Sequence, residues 1–324
     1  MELEAYQKAI SDGNNTSYKF ALGFSILELY LDKPEIEYLE IAKKLAYYYF
    51  RNVYMFNIRE ETNVSKKSQT WQIIKSFTDK LESEGTKIPA KLSEQYKHSI
   101  AENFLKTGVL KYVLPCFEGA EKSGSSYSYN QEGENSFFEY SKQKQRLVLK
   151  HEFCELIKSH RELLKDITVF EWAKFCEKYN TIPNLILKLS PEDRKRSMEK
   201  FRGFLVQYHK DLPEQERICF ICEKSLDYNE ISLDHVIPFN YIYSDDLWNL
   251  VPVHQRCNSS KGNKIGSEKE FEFLHKRNKI FFEKYSHNET VKKYLLKSFD
   301  KFEAVHSKIN DLKESCKKAG YTQN

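Results

Sequence analysis

Two short ligand pairs, Cys219 with Cys222 in CFIC and His254 with Cys257 in HQRC, constrain this chain more than any other feature. Each pair has two residues between its members, a spacing that lets one tight turn aim both side chains at a single ion. Together they make the Cys3His set of a tetrahedral zinc site. Four protein donors leave no open coordination position, so this Zn2+ is expected to be structural. It would clamp a short two-stranded segment too small to hold a core unaided. The competing reading is ordinary buried thiols, which suits Cys116, Cys154, Cys176 and Cys316, since these lack paired spacing.

A second set of groups lies between and beside these ligands, and it suits a hard cation and a proton transfer. Asp234 precedes His235 at the end of an apolar, β-branched run over residues 230–236 that Pro238 closes, the pattern of a strand. Neighbouring side chains of a strand point to opposite faces. A distortion at the strand end is therefore expected if both groups are to meet one phosphate.

The segments CFIC, LDHVIP and LWNLVPVHQRCNSSKGNK resemble the HNH nucleases of the ββα-metal type, over roughly residues 219–266. The resemblance implies that His235 is the general base and that Asn249 holds the loop before the second strand. It also implies that Asn258, opening the helix, binds the catalytic ion with Asp234. DDLWNLVP is similar to the subgroup with an acidic pair ahead of the Asn. The chain departs from the family pattern at Asn258, where the name-giving His is replaced, and at His254, a zinc position often held by Cys. Both changes keep ligand capacity.

The chemistry calls for these groups on physical grounds as well. Phosphodiester hydrolysis needs a water made nucleophilic and a leaving oxygen relieved of charge. A neutral imidazole accepts the water's proton, the role expected of His235. Mg2+ or Mn2+, held by few protein oxygens and several waters, suits the Asp234 carboxylate and the Asn258 side-chain oxygen. One catalytic ion is expected, because the stretch has too few carboxylates for a two-metal clamp.

Asn249 sits between apolar residues just before the β-run 250–253. Its amide is expected to tie the loop 238–248 to the strand bearing His235, against the blander reading of a turn Asn. Trp248 reads as the loop's apolar anchor, and Asp245 and Asp246 as turn caps that could also approach a metal. Lys261 and Lys264 read either as phosphate contacts or as solvated lysines. The remaining histidines, His275 and His306 among them, show no ligand spacing and read as surface or structural residues.

The chain has 324 residues, 40% hydrophobic and 14% aromatic, enough for about two domains with a real core. With 30% charged residues and few Gly or Pro, it points to a helix-rich build. A net charge of +4, from 51 basic and 47 acidic side chains, neither requires nor excludes nucleic acid. The acidic start MELEAYQK is no signal peptide and no stretch reaches membrane-helix length. Seven cysteines with zinc-type pairing fit a reducing, cytoplasmic compartment.

The expected class is α+β: a mainly helical N-terminal region, then a ββα-metal finger flanked by helices. Residues 1–117 read as a helical domain for substrate or partner selection. Thr16 or Ser17 caps a helix to residue 30, and Pro34 opens a long helix to about residue 57. Further helices are expected at 66–82 and 89–106. The aromatic run 47–50 reads as core rather than a base-stacking surface. Residues 118–136 read as a linker or exposed loop, and residues 137–189 as a connecting region with a hairpin (137–140 with 146–149) and helices at 151–165 and 168–179. Residues 190–285 read as the nuclease domain, entered by a basic helix that Ser190 caps and that runs to residue 208. Residues 286–324 read as a C-terminal helix packed on it, within helices expected at 267–285 and 289–318.

These readings converge on a metal-dependent endonuclease acting on DNA, with a restriction or anti-phage setting and a partner protein as further expectations. A non-catalytic zinc-stabilised binding module is the alternative from another class, and an HNH nuclease acting on RNA is the alternative within the same class. No P-loop, GxSxG motif or internal repeat accompanies the cluster.

Overall fold

The computed structural model describes residues 1–63, 67–117, 132–190 and 197–324. The chain is α+β and divides into two compact units, one of Met1–Asn180 with Leu185–Pro191, the other of Thr181–Asn184 with Glu192–Asn324. Residues 137–189 thus belong largely to the first unit rather than forming a region of their own. No helix among the described residues is long and apolar enough to cross a membrane.

The first unit runs α1 (Leu3–Ser11), α2 (Tyr18–Leu29), β1 (Glu35–Glu37), α3 (Tyr38–Tyr49), a π-helical turn (Phe50–Met55), α4 (Gln69–Ser83), α5 (Glu94–Thr107), α6 (Val109–Val113), β2 (Glu132–Glu134), β3 (Phe138–Ser141), β4 (Arg146–Leu149), α7 (His151–Glu177) and α8 (Leu185–Leu189). Helix α2 is apolar on all sides, with Phe20, Leu22, Phe24, Ile26 and Leu27 all buried, which marks it as the central helix. Ser17 precedes it as foreseen, but its hydroxyl is 2.9 Å from Tyr49 Oη instead of capping the helix.

Several elements differ from the local signals. The chain after Pro34 makes β1 before α3, because Ile36 pairs with Leu147 of β4, a partner distant in sequence. The expected hairpin is present as β3–β4, and it lies in a four-stranded antiparallel sheet ordered β1-β4-β3-β2. The two helices expected between 151 and 179 merge into α7 with non-helical backbone at His160. Ser68 and Ser93 cap α4 and α5, accepting from Trp71 N and Tyr96 N, so Pro89 does not open a helix. Tyr48, Tyr49 and Phe50 are core residues, as the aromatic run suggested. The Glu60 carboxyl is enclosed: it accepts from Asn52 Nδ2 (2.6 Å) and Trp172 Nε1 (3.0 Å), and burial pushes its pKa up to about 7.

The second unit contains α9 (Glu199–Asp211), β5 (Ile231–His235), α10 (Phe239–Ile242), β6 (Leu250–His254), α11 (Gln255–Lys261), α12 (Glu268–Lys284), α13 (Glu289–Val291) with a π-helical turn (Lys292–Leu296), and α14 (Phe302–Lys318). The helix start expected at Ser190 falls largely on residues 191–196, outside the described residues, as does most of the expected loop 118–136. The single helix expected over 289–318 is interrupted between the π turn and α14. Strands β5 and β6 pair antiparallel from Ile231↔His254 to His235↔Leu250. Helix α11 follows β6 directly, which completes a ββα unit.

Candidate functional site

A knuckle preceding β5 supplies two of the four soft ligands. Cys219 N donates to Lys224 O (2.9 Å), Glu223 N donates back to Cys219 O (2.8 Å), and Glu223 takes a left-handed φ of 58° to close the turn. The other two sit where β6 becomes α11: His254 is the residue before the helix and Cys257 lies in its first turn. All four donor atoms lie within 4.8 Å of one another. Sγ of Cys222 is 3.4 Å and Sγ of Cys257 3.9 Å from His254 Nδ1. Zinc–sulfur bonds of about 2.3 Å set tetrahedral sulfurs roughly 3.8 Å apart, so the donor set fits Zn2+. His254 Nε2 meets Ser225 O at 3.1 Å, which places its proton on Nε2 and leaves the Nδ1 lone pair toward the sulfurs.

The thiols respond to sharing one pocket. Burial opposes ionisation of Cys222, but hydrogen bonds from Lys224 backbone, Cys257, His254 and Cys219 outweigh it and bring that thiol to about 7. Burial, then the bond to Cys222 and the charge of Cys219, push Cys257 up to about 12. A bound dication relieves this mutual repulsion.

The second group of residues is arranged along β5. Asp234 and His235 both have little exposure, and they engage different elements. His235 Nε2 is 3.1 Å from Asp245 Oδ1 in the segment after α10, and its ring meets the edge of Phe239 at 5.4 Å. Ser197 N donates to the other oxygen, Asp245 Oδ2, at 2.7 Å. Asp234 Oδ2 accepts instead from Lys261 Nζ of α11 at 2.6 Å. The ladder stays in register to His235↔Leu250, so the expected distortion does not lie within β5.

Helix α11 therefore tracks the Ser232/Asp234 face of β5. Asn258 Nδ2 donates to Ser232 Oγ (3.0 Å) and Leu233 O (3.1 Å). The carbonyl acceptor fixes which end of the amide is nitrogen and turns Oδ1 away from the strand. The oxygen donors at this corner are Asn258 Oδ1 and the Asp234 carboxylate, one of whose oxygens is held by the Lys261 ammonium.

Lys261 requires a correction. It is 2% exposed, and its Nζ is spent on Asp234 Oδ2 and on His235 O, both at 2.6 Å, with Glu270 Oε1 at 3.7 Å. It is neither a surface phosphate contact nor a solvated lysine. Lys264, three residues on, is exposed.

Asn249 is fully buried and works as a substitute strand. Its Oδ1 accepts from Ile237 N (2.9 Å), its Nδ2 donates to Ile237 O (2.8 Å), and its backbone O accepts from Val236 N (3.0 Å). The ladder is thereby continued past His235. Helix α12 clamps the same turn from behind: Arg277 donates to Leu247 O (3.1 Å), Trp248 O (2.9 Å) and Leu250 O, and Asn278 Nδ2 donates to Trp248 O (2.9 Å). Burial lowers the pKa of the Arg277 guanidinium to about 9, and its hydrogen-bond acceptors are uncharged oxygens. Trp248 is the buried anchor expected, and Asp246 accepts from Ser244 Oγ as a turn cap. The start of α12 approaches β5 so closely that a Cβ on Gly266 would stand 2.8 Å from Val236 Cγ1.

Sequence reasoning missed Asp245 as the histidine's partner, and it missed Arg277, Asn278 and Ser197 altogether. The acidic pair ahead of Asn249 was a usable signal for the first. No spacing pattern marked the others. Residues 219–267 match a family model described as HNH endonuclease, and that segment contains the Cys3His cluster, both strands and α11. No curated protein and no solved structure gives a significant match to the chain.

Proposed function

With an HNH nuclease module at residues 219–267 as the premise, we propose that this chain is a metal-dependent endonuclease that hydrolyses phosphodiester bonds in DNA. The pairing of His235 Nε2 with Asp245 Oδ1 carries this reading. A carboxylate on Nε2 places the proton there and leaves the Nδ1 lone pair to act as base. The hydrolytic water gives its proton to Nδ1 and its oxygen bonds to phosphorus, while the bond from phosphorus to the 3′ oxygen breaks. Asp245 then stabilises the imidazolium.

Asp234 and Asn258 are the side chains that would hold a dication, Mg2+ or Mn2+, which when bound would supply charge relief in the hydrolysis. Asn249 keeps the segment after His235 in register, and Lys264 is offered as a phosphate contact. The Cys3His cluster, as a structural zinc site, holds the knuckle onto β6 and α11. The helical first unit is assigned to substrate or partner selection, in a restriction or anti-phage setting.

A cleavage assay on supercoiled, linear and single-stranded DNA and on RNA, with Mg2+ or Mn2+, tests the reading. The native chain should cut DNA, and His235→Ala and Asn258→Ala should lose about 10²–10⁴ of the rate. Equal activity in all three proteins rejects the assigned site. Cutting of RNA alone reassigns the substrate, and cutting of nothing in any form leaves a zinc-stabilised binding module.

A further inference from the structure

Helices α12 and α14 bring together two histidines 31 residues apart. His275 Nδ1 and His306 Nδ1 stand 3.0 Å apart, with ring centroids at 4.0 Å and planes tilted by 48°. Nothing in the HNH chemistry uses them. His306 is exposed and His275 half-buried, so the pair opens to solvent along one edge.

The separation is a chelate bite. With metal–nitrogen bonds of about 2.0–2.1 Å, two donors at right angles lie about 2.9 Å apart and two at the tetrahedral angle about 3.3 Å. The observed distance sits nearer the right-angle value, the geometry of tetragonal or octahedral Cu(II) and Ni(II) rather than of tetrahedral zinc.

Two further features favour a ligand role. Asn310, one turn of α14 after His306, is a hydrogen-bonding neighbour of the His275 ring that partly offsets the lowering of its pKa, a contact able to orient the imidazole. Burial, and then the neighbouring His306, lower the His275 pKa, which favours its neutral, lone-pair-bearing form. Lys313, whose charge also acts on His275, is bound to Glu268 and lies over the Phe271 ring at 4.5 Å.

We infer that His275 and His306 form a second, two-imidazole metal site that clips α14 to α12 and takes a tetragonal or octahedral transition-metal ion. Among the described residues, the group of three or more His, Cys, Asp or Glu with ligand geometry is the Cys3His cluster. The remaining positions at the histidine pair therefore belong to water. The inference stands apart from nuclease activity and does not depend on it.

Titration of the full-length, zinc-loaded, reduced chain with Ni2+, followed by calorimetry and by thermal unfolding, tests this. With Mg2+ in excess to occupy the hydrolytic site, one Ni2+ beyond the zinc should bind and raise the unfolding temperature. His306→Gln, at an exposed position, should weaken that binding roughly tenfold or more and abolish the thermal shift, and Asn310→Ala should weaken it about tenfold. Binding by His306→Gln as tight as by the native chain, or no uptake of Ni2+ beyond the zinc, overturns the site and leaves the pair as an N–H···N hydrogen bond. If His275→Gln fails to fold, His306→Gln decides alone.

Discussion

Lys261 Nζ lies 2.6 Å from Asp234 Oδ2, and the two side chains form an ion pair sealed between α11 and β5. The ammonium also holds the His235 carbonyl, so one cation fixes both residues of the Asp-His dipeptide. Loss of one partner from such a pair leaves an uncompensated buried charge. Lys261→Met is expected to lower stability by about 3–5 kcal/mol, measured by urea unfolding of the zinc-loaded chain. A change within a few tenths would show that the pair is not sealed.

Lys261 and Lys264 should also separate in DNA binding. Neutralising a phosphate contact reduces the slope of log affinity against log salt by about 1. Lys264→Ala is expected to do so and Lys261→Met is not, in binding isotherms collected over a salt series. The reverse order would return Lys261 to the phosphate-binding surface.

Both carboxylate oxygens of Asp245 are engaged, Oδ1 by His235 and Oδ2 by Ser197 N. Asp245→Asn is expected to cut the cleavage rate by about 10–100-fold with little change in KM. Nitrogen chemical shifts of His235 should move away from the Nε2–H tautomer in that variant. An unchanged tautomer would remove Asp245 from the mechanism.

Asn249 donates and accepts at one residue, so Asn249→Asp keeps the bond from Ile237 N and turns the other into a carboxylate facing Ile237 O. A cost of about 3 kcal/mol or more is expected, with reduced cleavage. Thermal unfolding of the variant at neutral pH gives the answer. Wild-type stability would mean that the amide is not the tie between the two strands.

Glu60 gives the first unit a pH dependence. Its carboxyl sits at about 7 in the folded chain, against an ordinary 4.5, because burial disfavours the charge. The folded state therefore binds the proton more tightly than the unfolded state. Its contribution is full below pH 4.5 and is lost as pH rises through 7, up to about 3 kcal/mol. Urea unfolding from pH 4.5 to 7.5 should show this decline in the native chain and a flatter profile in Glu60→Gln. Identical slopes would mean that another group sets the dependence.

Removal of zinc and removal of the catalytic ion should differ in outcome. A strong chelator is expected to unfold the knuckle, seen as loss of circular dichroism with release of zinc, because its folding depends on the metal. Mild EDTA should stop cutting first and leave the spectrum intact. Joint loss of both properties at one chelator strength would indicate a single metal site.

The ligand set was legible because it is written in local spacing. Cys219, Cys222, His254 and Cys257 converge as their two turns dictate. The strand around His235 and the β-run before His254 followed from their apolar, β-branched patterns, and the helix expected over 267–285 is present as α12. The segment after Pro34 was misread, because β1 exists only through pairing with β4. Lys261 was misread for a related reason: a lysine next to a glycine-rich turn carries no sign of burial in its own sequence.

What the sequence by itself determined is the Cys3His donor set and the HNH segment that contains it, because short-range turns place those donors. Only the tertiary structure decided how these groups are held and which are free to act. Asp245 faces His235, Lys261 is sealed against Asp234, Arg277 grips the turn before β6, and His275 meets His306 across 31 residues. Burial and encounters between side chains on different elements arise from packing of the whole unit, and no local pattern of residues encodes them.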